Sequence, residues 1–445
     1  MYPSTGLKDA LNYMKEMSVK DGRVYHQYVP TVTDSTTIGE FGTPILDTQN
    51  LNVLNDFVGL LKKVIYTAVY NKTFNNPLVG LEGERMPLGQ WIENVYVNPA
   101  DNSQQMSTFD VNDFAGLLQK YEAQVAVEYL PVNSDLQYSV TLTREKIRNA
   151  FTSWDALESL ISGYINSLYN GAYITRYNQT KGLVTGAYIG NNVNYQVISD
   201  VTDEQTAKAL IRQMRSAYSK FQIPSTKYNA WNKVKGGRMS LKTWSDPEDI
   251  VVLISADIES LVDVEVLCNA FNMSKGDWLG RVIVVDDFSQ YNDDGTLAVD
   301  GSAIKAMICD KSWFKIKTQD FAMDEFYNSK CRCWNYFLND TRSVNYSLFA
   351  NALCFVTSAP TVNATDLDIE TASVTVEAGE TVKVPFDITP ANATSTVSVT
   401  SSAGTYATGS VSGRNIIVEG KAEGSATLTV TANGHSDTIS VTVTA

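Results

Sequence analysis

A chain of 445 residues is too long for one ordinary core and implies two or three domains. With 44% hydrophobic against 19% charged residues, it has apolar material for sizeable cores and is not a disordered polymer. Its net charge of −14 argues against a protein whose main work is gripping phosphate backbones.

In chain order, the first periodic segment is Asn50 to Tyr66, where Leu51, Leu54, Val58, Leu61 and Ile65 predict one helix face. From Asn71 to Thr143 helical period is lost and Asn, Gly, Pro and strand formers dominate, as in an extended functional arm. Thr152-Ser153, followed by Asp155 and Glu158, then opens the most periodic helix, with Trp154, Leu157, Ile161, Tyr164, Ile165 and Leu168 on one face. Continued through Tyr177, it forms a rod of about 26 residues, roughly 39 Å long. Asp203-Glu204 open another helix, with Ala207, Leu210, Ile211, Met214 and Tyr218 as its apolar stripe. The continuous run Ile250-Val251-Val252-Leu253-Ile254 predicts a strand covered on both faces, and Val282-Ile283-Val284-Val285 a second one after a helix from Ile258 to Phe271. A turn at Asn292-Asp293-Asp294-Gly295, strands near Ala303–Ile308 and Trp313–Ile316, and an aromatic stretch from Trp334 to Val356 complete this part.

Composition changes abruptly near Thr357–Asn363. From Thr361 onward there is no Cys, Met or Trp, and three basic residues face nine acidic ones. Short alternating runs, such as Ala372–Val376, Thr381–Val384, Thr396–Thr400, Ala426–Val430 and Thr438–Val443, are separated by Gly379, Gly404, Gly413, Gly424 and Gly434. About seven short strands at this spacing predict an all-β sandwich. Gly379-Glu380-Thr381, Pro390-Ala391-Asn392-Ala393-Thr394, Thr400-Ser401-Ser402, Gly424-Ser425-Ala426-Thr427-Leu428-Thr429-Val430 and Val441-Thr442-Val443 resemble the bacterial Ig-like group 2 domains, whose pattern includes Pro-x-x-Ala-Thr. The usual Trp before the Ser-Ser pair is replaced by Val399-Thr400.

Residues that carry chemistry are sparse. The two histidines, His26 and His435, fall in different domains, so a His-ligated metal or a Ser-His-Asp triad has almost no material. Phosphate loops, nucleophile elbows, zincin helices and dinucleotide fingerprints do not occur in the sequence. Asp286-Asp287 and Asn292–Gly295 lack EF-hand spacing and read as a strand end followed by a hairpin turn. Gly182, Gly186 and Gly190 recur every four residues in polar surroundings, which reads as flexible backbone after a helix. The cysteines 268, 309, 331, 333 and 354 are odd in number and irregularly spaced, so no disulfide framework is expected and the chain is read as folding in a reducing cytoplasm. The N-terminus lacks the regions of a signal peptide, and no apolar run is long enough to span a bilayer. Carboxylates such as Glu128 and Asp257 could serve a polysaccharide-active enzyme only as a pair in one cleft. No catalytic residue, cofactor or metal is therefore expected.

The first 360 residues resemble the major capsid proteins of phi 29-like short-tailed phages. The likeness rests on Asn75–Leu78, on Pro87-Leu88-Gly89 with Ile92-Glu93 and Tyr96, and on Ala150–Trp154 leading to Glu158-Ser159 and Ile165–Asn170. It continues through Val262–Leu267, Ala270–Met273, Leu279-Gly280, Trp313-Phe314, Trp334–Tyr336, Phe349–Ala352 and Phe355-Val356. The resemblance implies an α+β fold of the Hong Kong 97 type with an appended Ig-like sandwich. Its implied parts are an N-terminal arm and first helix (1–70), an E-loop (71–145), a spine helix of the peripheral domain (146–190), a mainly axial domain (191–330), return strands (331–358), a linker (359–365) and the Ig-like domain (366–445).

It further implies a shell protein assembling with itself as hexamers and pentamers around double-stranded DNA, without reading its sequence. A scaffolding protein, a portal at one vertex and a head fibre or decoration protein are the implied partners, with no membrane. The scaffold is expected to be separate, because the chain shows no charged helical extension at its start, and assembly is expected in the host cytoplasm, yielding a virion component. Pro87, Leu88, Gly89, Trp91, Tyr96, Tyr129 and Trp154 are the expected subunit-interface residues. The sandwich is expected as an outer accessory tethered through Ala359-Pro360. The competing reading, a bacterial surface or adhesion protein with an Ig-like domain, predicts a secretory leader and tandem Ig copies.

Overall fold

A computed structural model gives the structure of the chain, and its described residues are 7–47, 51–68, 74–100, 123–235, 240–261 and 282–445. They divide into two compact units.

The first unit comprises residues 1–91, 131–180 and 316–344. Among the described residues three helices precede the expected one: α1 (Leu7–Lys20), α2 (Tyr25–Tyr28) and α3 (Ile38–Leu46). α1 buries Ala10, Leu11, Met14 and Ser18 at helical spacing. α3 begins with a capping box, in which Thr37 Oγ1 accepts from Glu40 N and Glu40 Oε2 accepts from Thr37 N at 3.0 Å. α4 (Leu51–Ala68) follows, close to the span its periodicity predicts. The segment expected as an N-terminal arm thus folds against α4, because its own buried faces need a partner. Tyr25, Phe41, Phe57 and Phe151 meet at centroid distances of 5.6 to 6.2 Å in this core.

Strands β1 (Ile92–Val97) and β2 (Val125–Leu130) belong to the second unit, and β3 (Ser134–Thr143) to the first. α5 (Arg144–Ala150), capped by Thr143, leads to α6 (Trp154–Ile189), a 36-residue helix of about 54 Å. The rod is longer than its sequence suggests: Gly182 and Gly186, read as flexible backbone, lie inside it. At Gly182 a Cβ would sit 1.8 Å from Gln290 Nε2, so a bare backbone permits that close approach.

The second unit comprises residues 92–130, 181–315 and 345–445. After β4 (Asn194–Val197), α7 (Glu204–Phe221) starts at Asp203, whose carboxylate accepts from Thr206 N at 2.8 Å. β5 (Ile250–Ser255) is buried along its whole length, as its apolar run requires. A short helix covers Ala256–Glu259, and most of the helix expected from Ile258 to Phe271 falls on residues 262–281, which lie outside the described ones. β6 (Val282–Val285) is followed by the expected hairpin, β7 (Gln290–Tyr291) and β8 (Leu297–Val299), and by β9 (Ile304–Asp310).

Two long strands then form a hairpin, β10 (Phe314–Asn328) and β11 (Cys333–Tyr346), before β12 (Ala352–Val356). β11 lies between β10 and β3, paired with β3 from Cys333↔Thr143 to Arg342↔Ser134. Residues 316–344 of this hairpin group with the first unit. At its turn Cys331 is bonded to Cys333, with Cα atoms 5.3 Å apart, where no disulfide was expected. The turn folds the chain back between the two positions, with Arg332 at φ +51. Cys309 and Cys354 are free and buried, and burial pushes the Cys354 thiol up to about 12.

The five-stranded sheet has the order β4-β12-β9-β5-β6. β12 is parallel to β4 and β5 to β6, whereas β9 runs antiparallel to both its neighbours. α7 covers the sheet with Ala207, Leu210, Ile211, Met214 and Phe221 against Ile250, Val252, Ile308 and Phe355.

The C-terminal sandwich has nine strands. β14 (Ser373–Glu377), β17 (Val397–Ser401), β20 (Gly424–Ala432) and β21 (His435–Thr444) form one sheet, and β15 (Thr381–Pro385), β18 (Ala407–Ser412) and β19 (Asn415–Gly420) the other. β13 (Asp366–Asp368) pairs with β16 (Asp387–Thr389). Ile416, Val418, Leu428, Val430, Ile439 and Val441 fill the core, and Val399, at the missing tryptophan, packs against it.

Candidate assembly surfaces

The β1–β2 ribbon has two unlike faces. Strand alternation sends Asn94 and Tyr96 of β1, with Ala126 and Glu128 of β2, toward the rest of the second unit. There Tyr96 lies against Phe349, ring centroids 5.8 Å apart, beside Ala126, Leu241 and Trp231. The Tyr96 hydroxyl donates to Lys242 O at 2.5 Å, and burial pushes its phenol up. Glu128 is buried but satisfied: its carboxylate accepts from Asn94 Nδ2 at 3.0 Å, Ser347 Oγ at 2.9 Å and Leu348 N at 2.6 Å. Asn98 Nδ2 donates to Ser240 O, and its Oδ1 accepts from Lys242 N. Glu128 is therefore occupied in holding the ribbon rather than presented to a substrate.

The outward face is apolar apart from Glu93. Cross-strand pairs Glu93↔Tyr129, Val95↔Val127 and Val97↔Val125 line it, and Val95, Val97, Val125 and Tyr129 are each about half exposed or more. The charge of Glu93, then its hydrogen bond, push the Tyr129 phenol up. The ribbon thus buries polar groups against its own body and turns a valine–tyrosine stripe away from it. Such a stripe on a folded chain is a candidate interaction surface.

The other expected interface residues fall in the first unit. Gln319 Nε2 donates to Pro87 O at 3.1 Å, which fixes the segment before the turn at Gly89, with φ +75. Leu88 is 74% and Trp91 66% exposed beside it in sequence. Trp154 opens α6, and its side chain lies outside the described ones, as do residues 101–122 of the arm. Within their own units the structure keeps Leu88, Trp91 and Tyr129 on the surface and turns Tyr96 inward.

A charge network within the first unit had no sequence signal. Arg176 on α6 donates through Nε and Nη2 to both oxygens of Asp340 on β11, at 2.8 and 2.6 Å. Glu82 lies 3.8 Å from Arg176 Nη1 and 2.6 Å from Arg342 Nη2. The Arg176 guanidinium also lies 4.3 Å over the Phe321 ring. Burial pulls Arg176 down, but Asp340 and Glu82 more than offset it and leave it raised; at Arg342 burial wins and the group is lowered. Two arginines and two carboxylates, all largely buried, leave this cluster neutral.

In the second unit Lys181 lies 3.0 Å from Asp286 and 3.3 Å from Asp287. Asp287 also accepts from Ser289 N and Tyr291 Oη. The acidic pair at the end of β6 thus receives a lysine from α6. Among the described residues no cluster of His, Cys, Asp and Glu is placed to hold a metal, and no helix is long and apolar enough to cross a membrane.

Residues 12–356 match the model of the phi29-like phage major capsid protein family, and residues 363–443 that of the bacterial Ig-like domain, group 2. The major capsid protein of Bacillus phage PZA is 28% identical over 356 residues, covering 79% of this chain and 74% of that one. That of Bacillus phage B103 is 26% identical over 361 residues, covering 80% and 75%. The capsid structure of Staphylococcus phage Andhra superposes with a TM-score of 0.52 at 17% identity, over 66% of this chain and 87% of that one, a likeness of fold. The chain belongs to the phi29-like phage major capsid proteins, structural proteins without catalytic chemistry, and combines their α+β fold with a distinct all-β Ig-like domain.

Proposed function

We propose that copies of this chain assemble through hexamers and pentamers into the closed head shell of a phage, enclosing its double-stranded DNA. In this reading the β1–β2 ribbon is the base of an E-loop, α6 is the spine helix, and the five-stranded sheet with α7 is the axial domain around the symmetry axes. The observation that carries the reading is the outward stripe of Val95, Val97, Val125 and Tyr129 on a ribbon whose polar side is already satisfied. Covered by a neighbouring subunit, this stripe makes a heterologous contact that repeats around an axis and closes. Leu88 and Trp91 extend the same apolar character along the chain.

The acidic balance suits an inner wall past which DNA must move without adhering. A separate scaffolding protein would guide the first, weak association in the host cytoplasm, a portal would occupy one vertex, and DNA entry would reorient spine and ribbon into a mature shell. A head fibre or decoration protein would dock outside. The test is electron microscopy with light-scattering mass on the chain expressed with and without a scaffolding protein. Uniform hollow particles support the reading; monomers under both conditions contradict it.

A further inference from the structure

The Ig-like domain is not merely strung on its linker. Tyr188 Oη, near the end of α6, donates to Ser358 O at 2.8 Å, and Thr357 N donates to Ala303 O at 2.9 Å. Val362 N then donates to Thr394 Oγ1 and Ala364 N to Ser395 Oγ, both at 2.9 Å, and Pro360 is buried. The segment expected as a tether is therefore pinned at both ends.

The loop after β16 reaches further. Asn392 is 9% exposed and Asn191 only 3%. Asn392 Nδ2 donates to Gly190 O and, at 2.7 Å, to Asn192 Oδ1, while Asn191 Nδ2 returns a hydrogen bond to Asn392 O at 2.6 Å. The end of a helix leaves its last carbonyls without intrahelical partners. Here Asn191 takes the left-handed conformation, φ +54, and its N–H returns to Tyr188 O, while Asn192 N returns to Ala187 O. Gly190 O accepts from Asn392, so a side chain of another domain completes the cap. The helix end also carries partial negative charge, which a carboxamide N–H suits and a carboxylate does not.

Within the group 2 pattern, Pro390, Ala393 and Thr394 hold the defined positions of Pro-x-x-Ala-Thr, and Asn392 one of the open ones. The docking contact uses this residue. Arg414 Nη2 supports the loop from beneath by donating to Ala391 O.

We propose that Asn392 latches the Ig-like domain onto the C-terminal end of α6, so that the domain is carried as a fixed part of the second unit. A change at that helix end then moves the domain or first breaks the latch. The docking surface is the helix terminus at Tyr188, Gly190, Asn191 and Asn192, and its occupant is this chain's own Pro390–Thr394 loop.

The test uses the full-length chain, with limited proteolysis of 357–365 and hydrogen exchange at 190–192, for Asn392→Ala, Asn191→Gly and the double variant. Asn191→Gly leaves the Ig-like sequence untouched, and glycine accepts the φ of +54. Each single variant is expected to speed linker cleavage about tenfold, since cleavage follows the open population, with protection at Val430 and Val441 retained. The double variant is expected to open the latch further, because Asn392→Ala removes the bonds to Gly190 and Asn192 while Asn191→Gly removes the separate bond to Asn392 O. Unchanged cleavage and exchange in Asn191→Gly, or in the double variant, would overturn the proposal.

Discussion

Arg176 and Asp340, 164 residues apart, meet through two parallel charge-assisted hydrogen bonds of 2.8 and 2.6 Å and fasten the long helix to the β10–β11 hairpin within the first unit. With Glu82 and Arg342 they form a neutral buried cluster in which each charge depends on the others.

Removal of one member leaves an uncompensated buried charge. Asp340→Ala is expected to destabilise the first unit by about 3–5 kcal/mol, measured by denaturant unfolding. Lys8→Ala, at an exposed pair with Asp34, should cost less than about 1 kcal/mol in the same assay. Equal effects would show that the buried network carries no special weight.

Glu128 fastens the inner side of the ribbon, so Glu128→Ala strands the Leu348 amide and the Ser347 hydroxyl without their acceptor. A loss of about 2–3 kcal/mol is expected. Hydrogen exchange should locate it at the Leu348 amide, and a Leu348 amide as protected as in the wild type would show that another group fixes the ribbon.

Lys233 donates to Val193 O at 3.1 Å over the Tyr195 ring, yet burial pulls its ammonium down to about 8 from 10.5. Between these values the unfolded chain holds the extra proton, so this group makes stability rise as pH increases from about 8 to 10.5. Other groups titrate in that range, so the informative quantity is the difference between wild type and Lys233→Met. The variant should gain relative stability below pH 8 and lose that gain as pH approaches 10.5; a difference independent of pH would refute the shift.

Two glycines should respond in opposite directions. Gly186 lies inside α6 with open space at its missing Cβ, so Gly186→Ala should stabilise by about 1 kcal/mol. At Gly301 a Cβ would sit 2.1 Å from Phe288 O, a backbone atom that cannot swing aside, so Gly301→Ala should destabilise. Thermal unfolding of both variants distinguishes the sites.

Legibility in the sequence followed the physics of each element. α4 and α7 were readable because their apolar residues keep helical spacing, and Asp203 marked where α7 begins. The buried run of β5 and the alternation of β14, β20 and β21 were equally direct. α6 was read too short because glycine is a poor helix former; its place at Gly182 is set by Gln290, a neighbour remote in sequence. α3 could have been found from Thr37-x-x-Glu40, but α2 is too short to show a period.

At the surface, Leu88, Trp91 and Tyr129, expected as interface residues, are exposed, whereas Val95, Tyr96 and Val97 are all strand formers and do not reveal which side faces inward. The direction is set by Asn94 and Glu128, whose partners are 253 and 220 residues away. The Arg176–Asp340 pair was illegible for the same reason, as was the role of Asn392.

The central claim is that the outward face of the ribbon joins one subunit to the next. The most direct measurement is particle yield by electron microscopy for the wild type and for Val95→Glu with Val97→Glu, each expressed with a scaffolding protein. Both positions are more than half exposed, so the isolated subunit should unfold at nearly the wild-type temperature while shells fail to form. Hollow particles at wild-type yield from the doubly charged ribbon would contradict the account.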